Sequence, residues 1–197
     1  MRYKLLSTAW GVFGYVVRDR SLVATFLPDE KLTVERRIHD TFPAAVVVDD
    51  LLPGFADDVR AYFLGARTRF HVTIDLSLCA GFRRLVLEAC RRIPYGKTAS
   101  YADLARAVGN PAAVRAVGGT MAMNPLPLVI PCHRVVSSNG GLGGFSSSRG
   151  PAQKLALLQL EGVALGATSR RSDEGSGYEE PRRHRRVNPS VILAARS

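Results

Sequence analysis

The sequence is poor in cysteine and contains no long apolar segment. Only three of its 197 residues are cysteines, Cys79, Cys90 and Cys132, and no two of them form a CxxC pair. An odd number of thiols without an N-terminal export signal argues against a disulfide framework, and one Cys132-His133 pair cannot complete a tetrahedral zinc site. The apolar runs are far shorter than the ~20 residues that cross a bilayer. We expect free thiols, no metal, no membrane segment and a cytoplasmic protein.

Acidic residues are scarce in one part of the chain. Residues 1–75 carry ten Lys or Arg and ten Asp or Glu, residues 76–163 carry ten against three, and residues 164–197 carry seven against four. A compact region with such an excess of positive charge suits a phosphate-binding face. Because many proteins are basic for solubility alone, the charge by itself does not decide whether the protein binds nucleic acid.

The first 75 residues predict a small α/β scaffold without a catalytic motif. Two alternating segments separated by Arg18-Asp19-Arg20 are typical of a β-hairpin, and the pattern after Pro28 indicates helices around a short strand. The predicted elements are strands over 10–17 and 22–27, a helix over 33–42, a strand or buried run over 44–48, and a helix over 55–64.

From Leu76 to Val163 the pattern is mainly helical. A helix is predicted over Cys79–Arg92, with Phe82, Leu85, Val86 and Ala89 on its apolar side. Ser100 and Asp103 form a capping box that opens a second helix ending at Gly109. Asn110 as N-cap and Pro111 at the first helical position predict a third helix after a three-residue turn. The last two helices are a helix-turn-helix candidate.

The third predicted helix offers little that could read a base sequence. Its buried stripe is predicted to be Val114, Val117 and Met121. The opposite face carries Ala112, Arg115, Gly118, Gly119 and Ala122. A major-groove reader needs several long polar side chains, whereas small residues permit close approach to a minor groove that Arg115 could enter. The alternative is that Gly118-Gly119 packs against another helix and Arg115 is a surface charge.

Cys132 follows an apolar segment, Leu126–Ile130, that is predicted to be a buried strand ended by Pro131. A thiol fixed at the end of a strand and flanked by His133 and Arg134 can have its thiolate favoured by the positive surroundings. The alternative is an inert cysteine in the core, which is the commoner role of a buried thiol.

The segment Ile130-Pro131-Cys132-His133-Arg134-Val135-Val136 resembles the active-site segment of the O6-alkylguanine-DNA alkyltransferases, also called methylated-DNA-protein-cysteine methyltransferases. The resemblance is dense from Leu76 to Val163 and only general in residues 1–75. Its other matching motifs are Ile93-Pro94-Tyr95-Gly96, Ser100-Tyr101, Asn110-Pro111, Arg115-Ala116-Val117-Gly118-Gly119, Met123-Asn124-Pro125, Gly143-Gly144-Phe145-Ser146 and Leu160-Glu161-Gly162.

The resemblance implies a role for each matching residue. Cys132 would accept the alkyl group from a guanine that has left the base stack, and Arg115 would fill the space that the guanine leaves. Tyr101 would donate a hydrogen bond to the flipped base. His133 would deprotonate Cys132 through a bound water, with Glu161 orienting the imidazole. Adjacent residues in a strand point to opposite faces, so this relay requires a backbone turn at Cys132.

The resemblance also implies the walls of a substrate pocket. The carbonyls of Cys132 and Val135 would accept from the guanine amino group, Phe145 and Ser146 would form the far wall, and Asn124 would tie the helix-turn-helix to the active-site turn. Two features depart from the family pattern. Phe145 replaces a common tyrosine, and the segment Ser147–Pro151 is about two residues longer than usual, which puts the tolerance for bulky alkyl groups in doubt.

We therefore expect an α+β protein with three segments. These are an N-terminal α/β scaffold with antiparallel strands (1–75), a mainly helical DNA-binding and catalytic domain (76–163) and a disordered basic tail (164–197). The expected function is irreversible, single-turnover transfer of alkyl groups from O6-alkylguanine, and from O4-alkylthymine, to Cys132. We expect no cofactor, and a monomer that binds duplex DNA through the minor groove with little sequence preference.

Three alternatives stay open. A lesion sensor of the same fold would lack the acceptor cysteine that this chain has. A helix-turn-helix regulator would carry several polar base readers on its third helix, and a cysteine hydrolase would turn over repeatedly.

Overall fold

The computed structural model describes residues 1–163 of the chain. The predicted tail, residues 164–197, lies outside the described residues. Mixed α+β architecture is confirmed, with a four-stranded sheet near the N-terminus and most of the helices after it.

The N-terminal sheet has the strand order β3-β2-β1-β4. Its strands are β1 (Arg2–Thr8), β2 (Gly11–Arg18), β3 (Ser21–Asp29) and β4 (Val46–Val47). The antiparallel pairing of β2 with β3 confirms the predicted hairpin. Strand β1 was not predicted, because its buried residues Tyr3 and Leu6 are three apart and do not alternate with polar ones. It nevertheless lies inside the sheet, antiparallel to β2 and parallel to β4.

Two helices pack against this sheet, and both were predicted. They are α1 (Lys31–Thr41) and α2 (Pro53–Phe63). Of the two alternatives for 44–48, the short strand is confirmed as β4; Val46 and Val47 are 58% and 59% exposed, so the segment is not a buried run. An edge strand of two residues has one side against β1 and the other facing solvent.

The remaining elements form the helical part of the molecule. In chain order they are α3 (Gly81–Arg91), β5 (Ala99–Ser100), α4 (Tyr101–Ala107), α5 (Val114–Ala122), a 3-10 turn (Cys132–Arg134), β6 (Val135–Val136) and α6 (Gly150–Leu160). The capping box of Ser100 and Asp103 is confirmed. On α3, Leu85 is 52% exposed, so its predicted place on the buried side is wrong; Leu87 points into the core instead.

Helix α5 begins at Val114, later than predicted. Asn110 is not its N-cap; the backbone N–H of Ala113 donates to the Asn110 carbonyl at 3.0 Å and closes a turn. This turn takes the place of the expected first turn of the helix and lengthens the connection from α4. Val114 is partly exposed, and Thr120 joins Val117 and Met121 on the buried side.

The segment Leu126–Ile130 is buried as predicted, but it is not a strand. The N–H of Ile130 donates to the Leu126 carbonyl at 2.8 Å, and Leu128 has a φ of 81°. The backbone therefore reverses within the segment, which an extended strand cannot do. Just before this reversal the chain is anchored to β3, where the N–H of Thr25 donates to the Pro125 carbonyl at 3.0 Å.

One hydrophobic core runs from the N-terminal sheet to the segment that precedes Cys132. It contains Phe13 and Tyr62 from the first 75 residues together with Val86 and Ile130 from the later ones. Burial of these apolar side chains therefore packs the first 75 residues against the later, mainly helical region. Among the described residues, no helix is both long and apolar enough to cross a bilayer.

Candidate active site

Cys132 lies at the first position of the 3-10 turn. The N–H of Arg134 donates to the Pro131 carbonyl at 2.9 Å, so the backbone turns where the resemblance requires it. The Asn124 side chain, just after α5, donates to the Ile130 carbonyl at 2.8 Å. Asn124 therefore connects the end of the helix-turn-helix to the segment that carries the cysteine.

The thiol of Cys132 borders a cavity of about 530 Å³ between α4, α5 and the loop before α6. The residue itself is 6% exposed. The cavity is lined by Tyr101, Val114, Arg115, Gly118, Met121, Ala122, Cys132, Gly144, Phe145 and Ser146. Residues distant in sequence therefore meet around one sulfur atom.

Two residues expected in the pocket do not line this cavity. Val135 is fully buried, and its carbonyl accepts a hydrogen bond from the Lys154 ammonium. Because this oxygen already accepts a hydrogen bond inside the protein, a guanine amino group could bond to it only by displacing the Lys154 ammonium or by donating to the same oxygen beside it. Asn124 borders a neighbouring cavity of about 290 Å³ beside β3, which Cys132 and Phe145 also line.

Tyr101 and the loop before α6 approach each other closely. The Tyr101 hydroxyl lies 3.5 Å from the Gly144 carbonyl oxygen. Gly143 has a φ of 68°, and a Cβ placed there would lie 2.8 Å from the Tyr101 oxygen. Only glycine satisfies both conditions. Burial raises the pKa of Tyr101, so its hydroxyl stays protonated and can donate.

The outer face of α5 is open. A Cβ added at Gly118 or Gly119 would meet no atom within 4 Å. The alternative that these glycines serve helix packing inside the protein is therefore wrong for the described chain. Arg115 is exposed beside them, and among residues 1–163 it has no hydrogen bond or ion pair. Ala112 is also exposed, in the turn before the helix.

Behind Cys132 lies a buried polar network centred on the carboxylate of Glu161. Its Oε1 lies 2.8 Å from His133 Nε2, and the carboxylate also accepts from both Nε and a terminal nitrogen of Arg134 at 2.9 Å. The Tyr62 hydroxyl donates to it at 2.7 Å, and the Gly96 N–H at 3.1 Å. The side chains of His133 and Glu161 are fully buried.

The charges in this network follow from its hydrogen bonds. Burial alone would raise the pKa of Glu161, but His133 and Arg134 outweigh it and lower the pKa to about 2. Burial lowers the pKa of His133 more than Glu161 raises it, so the imidazole is neutral. An ionised carboxylate can only accept, which places the imidazole proton on Nε2. Nδ1 of His133 is then left with a free lone pair, as a base requires.

The expectation that positive surroundings keep Cys132 ionised is not met. Burial raises the pKa of Cys132 above its ordinary value, although Asn124 and Lys154 oppose the shift. Desolvation of a thiolate outweighs these partners. The resting thiol is therefore protonated, and the neutral imidazole of the next residue, His133, is a candidate base for it.

Two polar residues of the site escaped sequence analysis. Tyr62 comes from α2, in the region that shows no catalytic motif, and its contact with Glu161 spans 99 positions. Lys154 on α6 is fully buried, and its ammonium lies 5.7 Å from the centre of the Tyr101 ring. Burial lowers the pKa of Lys154 to about 8. The one available signal was a lysine inside the apolar pattern of α6.

Among residues 1–163, no group of three or more His, Cys, Asp or Glu side chains could hold a metal ion. The fold and the site together define a protein with a helix-turn-helix whose second helix and a cysteine share one cavity.

Comparison of this chain with known proteins shows the family to which it belongs. Residues 81–163 match the family described as 6-O-methylguanine DNA methyltransferase, DNA binding domain. A methylated-DNA-protein-cysteine methyltransferase of Mycolicibacterium paratuberculosis is 34% identical over 161 residues, which cover 82% of this chain and 92% of the relative. The chain belongs to the methylated-DNA-protein-cysteine methyltransferase family.

Other relatives agree with this assignment. The inducible methylated-DNA-protein-cysteine methyltransferase of Bacillus subtilis is 40% identical over 122 residues, or 61% of this chain and 66% of that protein, just under two thirds of its length. The crystal structure of Mycobacterium tuberculosis OGT in complex with DNA superposes with a TM-score of 0.70 at 31% identity, covering 82% of this chain and 92% of that one.

Proposed function

We propose that the protein repairs DNA by transferring an alkyl group from the O6 atom of guanine to the sulfur of Cys132. The observation that carries the proposal is the position of this sulfur. It borders the cavity on one side, while His133, the next residue, belongs to a buried network that leaves its Nδ1 available as a base. The 3-10 turn thus supplies the nucleophile, Cys132, and the base, His133, and Glu161 orients the base.

The reaction balances without a cofactor. His133 takes the thiol proton, through a water molecule as the family resemblance implies, and Glu161 stabilises the resulting imidazolium. The sulfur attacks the alkyl carbon, a carbon-sulfur bond forms, and the bond from that carbon to guanine O6 breaks. Tyr101 donates a hydrogen bond to the departing guanine as it gains negative charge. The proton held by His133 returns through water, and the guanine leaves in its neutral form. The thioether on Cys132 is stable, so each molecule reacts once.

We also propose that the protein binds duplex DNA through the minor groove with little sequence preference. The open face at Gly118 and Gly119 permits close approach of the α5 backbone, and Ala112 adds no bulk before the helix. Arg115 is the one long cation on this face, and it lines the cavity where the flipped base would sit. A face of small residues with one long side chain, Arg115, favours recognition of distorted DNA and not of a particular base sequence.

The substrate range follows from the loop before α6. The Ser146 hydroxyl donates to the Ala122 carbonyl at 2.6 Å, which holds the far wall against α5. Phe145 lines both the active-site cavity and its neighbour, so the position of its ring affects the space open to an alkyl group. We propose O6-alkylguanine, with methyl as the alkyl group, and O4-alkylthymine as the substrates. A cytoplasmic, monomeric protein remains a prediction.

Transfer of label separates this function from its alternatives. Incubation with duplex DNA carrying radiolabelled methyl on guanine O6 should move at most one equivalent of label to the protein, and Cys132→Ser should accept none. A lesion sensor or a regulator would bind without accepting label, and a hydrolase would release labelled product repeatedly. Mapping of the methyl group to any residue other than Cys132 would refute the proposal.

A further inference from the structure

A second concave surface, larger than the active-site cavity, lies apart from the thiol of Cys132. This groove has a volume of about 1030 Å³. It lies between the chain at residues 67–72, the C-terminal end of α3 with the residues that follow it, and the segment that precedes Cys132. It shares no lining residue with the cavity that holds the thiol.

The rim of the groove is strongly basic. Arg67, Arg69, Arg91 and Arg92 line it and are exposed. Within residues 1–163 none of the four forms an ion pair, and Arg91 makes only a long hydrogen bond, at 3.4 Å, to a backbone carbonyl. The one acidic lining residue, Glu88, is paired with Arg84 at 2.9 Å. The groove therefore offers four cations without carboxylate partners to an anionic ligand.

The floor of the groove is apolar and contains two aromatic rings. Phe70 and Tyr95 are half-buried, with Ile93, Leu128 and Val129 around them. The Phe70 ring lies 5.8 Å from the rings of both Phe55 and Tyr62, which hold it in place. A site that binds only a simple anion does not need aromatic rings beside its cations. Cations along a rim above aromatic rings are the pattern of proteins that bind single-stranded nucleic acid, in which bases stack while phosphates meet the cations.

We propose that this groove binds a segment of single-stranded nucleic acid, with phosphates at the four arginines and bases against Phe70 and Tyr95. The groove lies on different elements from the α5 face, so this strand is additional to the duplex that presents the lesion. The proposal is independent of the alkyl transfer reaction.

Binding of a short labelled oligothymidylate to the full chain tests the proposal by fluorescence anisotropy. Arg91→Ser/Arg92→Ser and Arg67→Ser/Arg69→Ser should each weaken binding by about tenfold at low salt, and each should reduce the slope of log K against log salt by about 1.4. The control Arg20→Ser/Arg36→Ser removes the same charge from exposed positions outside the groove. It should change binding by less than about twofold. Equal losses in all three variants would overturn the proposal.

Photo-crosslinking locates the strand and separates this test from that of repair. An oligothymidylate carrying 4-thiothymidine should form adducts within residues 67–72 or 91–95, as mapped by mass spectrometry. Adducts confined to residues 101–122 would show that the strand uses the α5 face and would refute the groove. The arginine variants should react with free O6-methylguanine base at the wild-type rate. An unchanged rate would show that they are folded.

Phe70→Leu distinguishes a nucleic acid from a simple polyanion. Leucine keeps the apolar packing but removes the stacking surface. The variant should weaken oligothymidylate binding by about fivefold or more and leave binding of inorganic polyphosphate unchanged. If both ligands bind it as they bind the wild-type protein, the groove recognises only charge and the assignment to nucleic acid fails.

Discussion

The two sides of the Cys132 turn are built in opposite ways. The cavity side consists of partly exposed residues with few hydrogen bonds, such as Tyr101 and Arg115. The inner side is a closed network in which Glu161 accepts from four other residues over distances of 2.7 to 3.1 Å. A substrate must enter and leave the first side, whereas the second must hold one proton arrangement. Changes on the inner side should therefore affect stability and chemistry together, and changes on the cavity side should affect function alone.

The largest expected effect is that of Glu161→Gln. The substitution leaves Arg134 buried without its carboxylate and lets the imidazole of His133 reorient. We expect the free energy of unfolding to fall by about 3 kcal/mol or more and the transfer rate by about a hundredfold or more. Urea denaturation and single-turnover label transfer measure the two. Tyr101→Phe is the control: it should slow transfer and leave stability within about 1 kcal/mol. Equal stability of the two variants would contradict the comparison.

Acid should lower the free energy of unfolding through protonation of Glu161, on the inner side of the turn. The pKa of Glu161 is about 2 in the folded protein, against an ordinary value of 4.5. Because the folded pKa is the lower one, the stabilisation is complete above about pH 4.5 and is lost as the pH falls toward 2. The loss amounts to about 3 kcal/mol.

Urea denaturation at several pH values measures this dependence. The slope between pH 4.5 and 2 should be shallower in Glu161→Gln than in the wild-type protein. Identical slopes in the two proteins would mean that Glu161 is not the titrating group.

Arg115→Ala sharpens the comparison from the cavity side. If Arg115 fills the vacated stack as proposed, transfer from lesion-containing duplex should slow by about tenfold to a hundredfold without it, since extrusion of a base costs a few kcal/mol. Reaction with free O6-alkylguanine base and the urea midpoint should not change, because Arg115 has no partner within the described chain. A slower reaction with the free base would show that Arg115 acts in the chemistry.

The smallest effect concerns the face of α5. Gly119→Leu has open space around it, and leucine favours helix more than glycine does, so the stability should rise by about 0.5 kcal/mol. Duplex binding should weaken by about tenfold, because the added side chain keeps the helix away from the groove. Thermal denaturation and anisotropy with a lesion duplex measure both effects. Tighter binding would refute close approach of this face to DNA.

Most of the cavity residues could be predicted from the sequence, but few of the residues that support them could. Cys132, Tyr101, Arg115, Phe145 and Ser146 were predicted together, because they lie in motifs whose order along the chain is distinctive. Their roles remain predictions. Tyr62 and Lys154 were not predicted, since one lies on a helix without a motif and the other on an apolar helix. Their importance comes from contacts over long sequence separations, which no local pattern records.

The predicted secondary structure was wrong in two segments whose local pattern is compatible with more than one backbone conformation. The apolar segment 126–130 has the composition of a strand, yet its backbone reverses directly after Pro125, whose carbonyl accepts a hydrogen bond from β3. Asn110-Pro111 has the form of a helix start, yet a turn closed by Ala113 occupies it.

The fold class, the hairpin, most helix positions and the cysteine proposed as the acceptor could all be predicted from the sequence, because periodicity, caps and short motifs are local properties of the chain. The tertiary structure decided the protonation of that thiol, the proton position on His133 and the partners of Glu161. Burial and hydrogen bonding set these properties, and both depend on which distant side chains the folded chain brings together.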